Sequence, residues 1–201
     1  MSIKFQYNKI ALQGLNKQLN IRLRTLPTLK NKEATLRFEV EKARKKIREL
    51  NEKLESLFAG YTKSAAIWCE FDSRLLSVCE VKTISRSIAG IKTRELDEII
   101  FRIDDFSLFN HPQWFPEGIS ILKFLTGLAI EIDLYKRKMD LLNRVRRKTT
   151  QKVNLYEKVQ IPAFEDAIRK IKRFLEDEEN LSKSAQKILK TRQQQLLETN
   201  A

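Results

Sequence analysis

The stretch LRFEVEKARKKIRELNEKLESL, residues 36–57, decides the fold, because its apolar residues recur alternately every three and every four positions. The same spacing runs in phase from Leu12 to Val78. Seventeen of its twenty sites are apolar, whereas the 42% apolar content of the chain predicts about eight. A repeat of 3.5 residues keeps one stripe of a helix facing a partner helix in a left-handed supercoil. The sites are Leu12, Leu15, Leu19, Arg22, Leu26, Leu29, Glu33, Leu36, Val40, Ala43, Ile47, Leu50, Leu54, Leu57, Tyr61, Ser64, Trp68, Phe71, Leu75 and Val78.

A second apolar stripe obeys the same rule in the C-terminal half of the chain. It runs from Ile121 to Leu142 and returns from Val153 to Leu175, with Glu157 at one of its sites. Arg146 and Thr150 interrupt it with two successive steps of four, a stutter that loosens a supercoil locally. The two stripes predict a mainly α fold, a long antiparallel two-helix coiled coil with a small head that contains a β-hairpin. The predicted boundaries are 8–78 for the N-terminal helix, 79–118 for the head and 119–197 for the C-terminal helix, all within one elongated domain.

Two prolines lie inside these predicted helices. An internal proline removes one backbone hydrogen bond and costs about 3 kcal/mol. Pro27 therefore allows two interpretations: the main helix begins there with Thr25 as its cap, or a kinked helix continues through it. The uninterrupted phase of the stripe favours the second interpretation. Pro162 is expected to bend the C-terminal helix.

The middle of the chain has the period of a sheet. Residues 81–84 are rich in β-formers, and Ile99, Phe101 and Ile103 alternate with Ile100, Arg102 and Asp104, a period of two. Residues 87–93 surround a glycine and predict the loop of a hairpin. The aromatic segment that follows, 106–118, is either a plug packed beneath the hairpin or a contact patch for a partner.

Composition limits the kinds of function that this chain supports. Among 201 residues there are 39 Lys and Arg against 26 Asp and Glu, a formal charge of +13, which favours acidic partners: nucleic acid, anionic lipid or an acidic protein surface. Two cysteines, Cys69 and Cys79, and the single histidine His111 are too few for a paired Cys/His metal site or for most histidine-based catalysis. No phosphate-binding loop motif is present either. We therefore expect no catalytic residue, no metal and no cofactor.

The termini and hydropathy predict where the protein resides. No apolar stretch reaches 18 residues, and the first five residues lack the apolar region of a signal peptide. We expect a cytoplasmic protein that does not insert into a membrane, although partners can attach it to a membrane machine.

Basic residues crowd both helices, mostly outside the apolar stripes. They form either the ordinary surface of a soluble coiled coil or a surface complementary to an acidic channel or a nucleic acid. No nucleic-acid-binding fold is recognisable, so a nucleic acid is not expected as a partner. The basic residues are Lys42, Arg44, Lys45, Lys46, Arg48, Lys136, Arg137, Lys138, Arg144, Arg146, Arg147, Lys148 and Lys152.

Three stretches of the chain resemble the D subunit of the V-type (vacuolar and archaeal-type) rotary ATPases and ATP synthases. Residues 24–36 are similar to the family pattern RGxxLLKxKRDxL, 88–92 to the hairpin-tip pattern NIxGVK, and 150–162 to RRVNALEYVxIP. The third is the most specific, because a proline at that place in a coiled-coil helix is unusual. Residues shared in the third stretch are Val153, Asn154, Leu155, Glu157, Val159, Ile161 and Pro162.

The chain also departs from the family pattern in places. Thr25 stands where the family has glycine, Glu33 replaces an arginine, and Pro27 is unusual. The aromatic segment 106–118 has no clear counterpart. These departures affect the expected contacts of the first helix and leave the expected shaft architecture unchanged.

The resemblance implies a non-catalytic central rotor shaft that transmits torque between a catalytic hexamer of A and B subunits and an ion-conducting membrane ring. Its implied partners are the A and B subunits, the small F subunit and a subunit that links the stalk to the ring, and its implied location is cytoplasmic and peripheral to the membrane. The residues themselves also fit an alternative, a basic coiled-coil scaffold or adaptor that binds nucleic acid or acidic protein surfaces.

The resemblance also implies two sets of partner-binding residues. Those for the hexamer cavity are Arg24, Leu29, Lys30, Lys32, Leu36, Val153, Asn154, Leu155, Glu157, Ile161 and Pro162. Those at the tip of the head hairpin are Ile88, Ala89, Gly90, Ile91 and Lys92.

Overall fold

The computed structural model, which describes residues 4–61, 68, 70–105 and 112–199, confirms the predicted fold class: the protein is mainly α-helical and has one antiparallel β-hairpin. A short 3-10 helix precedes the hairpin, and a π-helical segment separates the last two helices. In chain order the elements are α1 (Lys9–Tyr61), the 3-10 helix (Ser73–Leu75), β1 (Leu76–Ile88), β2 (Ile91–Ile103), α2 (Phe115–Leu155), the π-helical segment (Tyr156–Gln160) and α3 (Ile161–Thr199).

The chain forms two compact units. Unit 1 comprises Met1–Asn31 and Thr149–Ala201, and unit 2 comprises Lys32–Lys148. The division into an N-terminal helix, a head and a C-terminal helix stays a prediction.

Helix α1 begins where Asn8 caps it, since the Asn8 side-chain oxygen accepts a hydrogen bond of 2.6 Å from the backbone N–H of Ala11. The helix then continues through Pro27 to Tyr61. The interpretation of a continuous helix is therefore confirmed, and a start at Pro27 is wrong. Every site of the predicted stripe from Leu12 to Tyr61 is buried or half-buried.

The predicted end of the first helix is wrong. Asp72 caps the 3-10 helix by accepting a hydrogen bond of 2.9 Å from the backbone N–H of Arg74, and Leu76 already lies in a strand. Such a local side-chain bond offers the backbone an alternative to a continuing helix. Leu75 is buried and fits the apolar spacing without being part of α1, and Val78 is exposed on β1. The predicted site Ser64 lies outside the described residues.

Each unit has its own apolar core. In unit 1, Leu15 of α1 packs with residues of α3, and in unit 2, Leu36 and Val40 of α1 pack with Leu142 of α2. The α3 residues in the unit 1 core are Phe164, Ala167, Ile168 and Ile171.

The helices of unit 1 run antiparallel. Arg22 hydrogen-bonds Gln160, whereas Lys30, further along α1, pairs with the earlier residue Glu157.

The hairpin is longer and its turn tighter than predicted. Its strands pair from Leu76 opposite Ile103 to Ile88 opposite Ile91, with register shifts between Val78 and Glu80 and between Lys82 and Thr83. Only Ala89 and Gly90 form the turn, with φ of 50° and 80°. Positive φ at both central residues is the geometry that matches the twist of two paired strands, and glycine adopts it without steric cost. The predicted loop at 87–93 is therefore wrong except for these two residues.

A π-helical segment lies directly before Pro162. The backbone N–H of Ile161 donates to the carbonyl of Tyr156, five residues back. Pro162 has no N–H, and its ring would clash with the carbonyl four residues earlier in a regular α-helix, so a wider turn relieves the conflict. The wider turn also shifts the stripe: Tyr156 and Gln160 are half-buried, whereas the predicted stripe site Glu157 is exposed.

The stutter predicted before this segment is only partly visible in the burial pattern. Arg146 and Thr150 are half-buried as the predicted spacing requires, but the buried residue is Thr149. Thr149 lies seven residues after Leu142, so the heptad spacing continues through this region.

Aromatic rings pack together before α2. The ring of Phe71 lies 5.2 Å from that of Phe115 and 6.1 Å from that of Trp114, and Trp114 also contacts Trp68 at 5.2 Å. Gly118 gives the ring of Trp114 its space, because a Cβ at this position would lie 2.7 Å from that ring and would force it to shift. This part of the predicted aromatic segment packs within the chain, and residues 106–111 lie outside the described residues.

Replacing Leu36 with alanine is expected to lower the free energy of unfolding by roughly 2–5 kcal/mol, because its side chain is fully buried in the unit 2 core. Urea denaturation followed by circular dichroism at 222 nm measures this change. Phe38→Ala is the control: Phe38 is 67% exposed on the same helix, and its loss is expected to cost less than about 1 kcal/mol. Equal losses for the two variants would contradict the assigned helix face.

Candidate functional site

Most of the residues implied for the hexamer cavity lie in unit 1, and they differ in exposure. Leu29 and Ile161 are half-buried and Val153 is buried, so these three belong to the stripe. Lys32 and Leu36 lie in unit 2, where Lys32 is half-buried and Leu36 is fully buried. Contact between the residues of this set and a partner stays a prediction. The members that are exposed are Arg24, Lys30, Asn154, Leu155, Glu157 and Pro162.

Lys30 and Glu157 are brought together across the two helices of unit 1. The Lys30 Nζ and the Glu157 Oε1 lie 2.8 Å apart, and both side chains are about half exposed. A solvent-exposed ion pair contributes little to stability. The Lys30–Glu157 pair can therefore break at low cost, and each group can then pair with a charge on another protein.

Arg22 is the residue that sequence reasoning treated only as a break in the apolar stripe. Its Nε donates a hydrogen bond of 2.7 Å to the side-chain oxygen of Gln160, and its Nη1 donates one of 3.0 Å to the backbone carbonyl of Gln18. The guanidinium carbon also lies 4.4 Å from the ring centre of Phe164 and 5.9 Å from that of Tyr156. Arg22 therefore links α1 to both ends of the π-helical segment.

Replacing Arg22 with lysine is expected to lower the free energy of unfolding by about 1–2 kcal/mol. Lysine keeps the charge, but it cannot supply the planar fork that stacks on Phe164 while bonding Gln160. The exposed Arg24→Lys, two residues away, serves as the control and is expected to change stability by less than about 0.5 kcal/mol. Thermal unfolding followed by circular dichroism compares them, and an unchanged midpoint for Arg22→Lys would show that charge alone matters.

The predicted hairpin tip is largely an internal contact. Ile88, Ala89 and Ile91 pack against the unit 2 core of Leu36, Val40 and Leu142. Gly90 and Lys92 are exposed. A role of the tip in partner binding stays a prediction, and within this chain the tip residues fasten the hairpin to the helices.

A half-buried ion pair also fastens β2 to α2. The Lys138 side chain is only 9% exposed, and its Nζ lies 2.7 Å from Glu95 Oε1, while Arg86 Nη1 lies 3.4 Å from Glu95 Oε2. The hydrogen bond from Lys138 holds the pKa of Glu95 below its ordinary value of 4.5 although burial acts in the opposite direction. Nearby, burial raises the pKa of the Tyr135 hydroxyl. Sequence spacing could not reveal this pair, because 43 residues separate its members.

Replacing Lys138 with methionine is expected to lower the free energy of unfolding by about 1–3 kcal/mol near neutral pH, because Glu95 loses its main hydrogen-bond donor. The folded-state pKa of Glu95 is lowered, so the stabilisation is fully present above about pH 4.5 and is lost as the pH falls through that lowered pKa. The difference between wild type and variant should therefore shrink in acid.

Urea denaturation across a pH series measures the difference. Lys82→Met is the control, because Lys82 pairs with Glu98 at 2.8 Å in an exposed position and its loss should cost less than about 1 kcal/mol. A Lys138 effect that is independent of pH would contradict the assignment to Glu95.

The basic residues that crowd both helices outside the apolar stripes, called here the basic coat, are mostly exposed, as predicted, with one clear exception. Among its members, Lys138 points into the pair with Glu95. Lys46 and Arg146 are half-buried, and the other members are exposed.

The described residues were compared with the requirements of a metal cluster and of a membrane-spanning helix. Within these ranges, no group of three or more His, Cys, Asp or Glu side chains is placed to hold a metal ion. Cys79 is a free, exposed thiol. None of the described helices is both long enough and apolar enough to span a membrane.

Comparison with known proteins gives consistent matches across the chain. Residues 11–191 match the model of the family described as the ATP synthase D subunit. The V-type ATP synthase D subunit of Borreliella burgdorferi is 31% identical over 194 residues, 94% of each chain. The proteins of the same description from Chlamydia pneumoniae and Chlamydia muridarum are 30% and 26% identical, covering 88% and 97% of this chain and 87% and 98% of their own.

The extent of these matches defines the class, a component of the ATP synthases with long paired helices. The chain belongs to the ATP synthase D-subunit family, so the resemblance inferred from three short stretches is confirmed.

Proposed function

We propose that this protein is the central rotor shaft of a V-type rotary ATP synthase or ATPase. In this role it transmits torque between ATP chemistry in a hexamer of A and B subunits and ion movement in a membrane ring. The observation that carries the proposal is the family match over residues 11–191. The F subunit and a subunit that links the stalk to the ring are its further proposed partners.

The proposed role is mechanical, and the protein itself is non-catalytic. It acts as a member of a V-type ATP synthase complex, in the cytoplasm and peripheral to the membrane. Helix pairs held by continuous apolar stripes resist twisting, which torque transmission requires. Long, exposed lysine and arginine side chains can exchange weak contacts with a surrounding cavity, and no single contact is strong enough to stop rotation.

The last part of α3 supports an interaction outside the chain. From Glu176 to Gln195 every residue is exposed, although α3 remains helical to Thr199. Leu181, Ile188 and Leu189 are 72%, 56% and 60% exposed and recur at seven- and eight-residue spacing, so they lie on one helix face. Burial of this face in a cavity would stabilise the assembly.

The proposal predicts one copy of this chain per A–B hexamer. Native mass spectrometry of the full chain mixed with the A–B hexamer and the F subunit from the same source measures the stoichiometry. Removal of residues 1–30 and 176–201 is expected to abolish the complex. No binding, or several copies per hexamer, would contradict the shaft and favour a scaffold or adaptor.

A matched pair of double variants tests which face of the last part of α3 is needed for assembly. Leu181→Gln with Ile188→Gln removes the apolar face, whereas Lys183→Gln with Lys190→Gln alters the opposite face at the same spacing. We expect the first pair to weaken assembly by at least about tenfold, because two buried apolar contacts are lost, and the second to leave it nearly unchanged. Equal effects would contradict burial of the apolar face.

A further inference from the structure

An open groove of about 730 Å³ lies in unit 2, where α1, both strands of the hairpin and α2 meet. Residues of α1 from Glu39 to Glu49 line it together with Arg86 of the hairpin and Tyr135 of α2. None of these groove residues belongs to the sets implied for the hexamer cavity, and of the tip set only Ile88 reaches its edge. The α1 part runs from Glu39 to Glu49, a rise of about 15 Å or nearly three helical turns.

The groove carries excess positive charge. Its cations are Lys42, Lys45, Lys46, Arg86 and Lys138, and its carboxylates are Glu39, Glu49 and Glu95. Glu95 is already shared by Arg86 and Lys138.

The lysines of α1 supply the uncompensated part of that charge. Lys46 and Glu49 are loosely paired at 3.9 Å. The ion pairs found in the described part of the chain do not include Lys42 or Lys45, both of which are exposed. The middle of the groove therefore presents free ammonium groups, with a carboxylate near each end of its α1 side.

This arrangement, with lysines in the middle of the groove and a glutamate near each end, favours a protein segment over a nucleic acid as the ligand. A phosphate backbone carries negative charge at every step and would meet Glu39 and Glu49 at the two ends of the groove. A short peptide segment can place carboxylates opposite Lys42 and Lys45 and neutral or basic groups opposite the glutamates. Complementary charge of this kind selects partners and speeds their association.

We propose that this groove docks a short acidic segment of another protein chain, with Lys42 and Lys45 as its main contacts. The acidic character of the segment follows from the groove alone. That it belongs to another member of the same complex rests on the proposed function.

Fluorescence polarisation of a labelled peptide tests the groove in the full chain. The probe is a peptide of about ten residues with glutamates in its centre and a lysine at each end. Lys42→Glu with Lys45→Glu is expected to weaken binding about tenfold, because two attractions become repulsions. Both positions are exposed on a helix, and circular dichroism verifies that the variant folds.

Arg37→Glu with Arg48→Glu is the matched control, because both residues are exposed on α1 outside the groove and the net charge changes equally. This control should bind the peptide as wild type does. Equal weakening in the two variants would show general attraction to the basic coat and would overturn the proposal, as would no binding to wild type. A duplex DNA oligonucleotide that displaces the peptide and binds more tightly would also overturn it.

A second experiment identifies the source of the segment. A photo-crosslinking amino acid replaces Lys45, or Arg48 as control, in the complex assembled with the A–B hexamer and the F subunit. An acidic peptide of a partner protein crosslinked from position 45 and not from position 48 would support the proposal, and a crosslink to a non-acidic segment would contradict it. The peptide assay uses the isolated chain, so absence of peptide binding would not contradict the rotor proposal. Failure of the chain to assemble with the hexamer would contradict the rotor proposal and would not change the peptide result.

Discussion

The rest of this structure depends on the burial of apolar stripes that repeat every 3.5 residues. A helix with such a stripe cannot cover it alone, so a second helix must lie against it. In unit 1, α3 covers the N-terminal part of α1, and in unit 2, α2 covers the following part. The tip of the hairpin joins the second of these cores, because Ile88 and Ile91 pack against its buried cluster. The head is thus held by the same kind of contact that pairs the helices.

Polar groups inside or beside the stripes give the pairing its specificity. Apolar contacts alone tolerate slippage by a heptad, whereas Arg22 makes its bonds to Gln160 and its ring contacts only in one register. The π-helical turn before Pro162 places Tyr156 and Gln160 where Arg22 reaches them. In unit 2 the pair of Lys138 and Glu95 has the corresponding role for the hairpin. When one partner of such a partly buried pair is lost, the free energy of unfolding falls. Substitutions in these pairs therefore test the register in which the elements pack.

The functional conclusion follows from what the chain contains and what it leaves uncovered. Its paired helices, its basic coat and its family membership support the proposed mechanical role. The end of α3 keeps Leu181 and Leu189 exposed, and the groove beside α1 keeps Lys42 and Lys45 unpaired among the described contacts. An apolar helix face and a basic groove differ in chemistry and share no residues, so each surface can be tested by substitutions that leave the other unchanged.

Local spacing was enough to specify the long helices, the continuity of α1 through Pro27 and the existence of a hairpin, because these depend on residues three, four or two positions apart. Motif matches were enough to indicate the family. The end of α1, the two-residue turn at Ala89 and Gly90, the exposure of Glu157 and the pairing of Lys138 with Glu95 emerged only in the folded chain. Each of these features arises because another interaction outweighs the preference of the local pattern. That interaction is a cap, a wider helical turn or a contact between residues distant in the sequence.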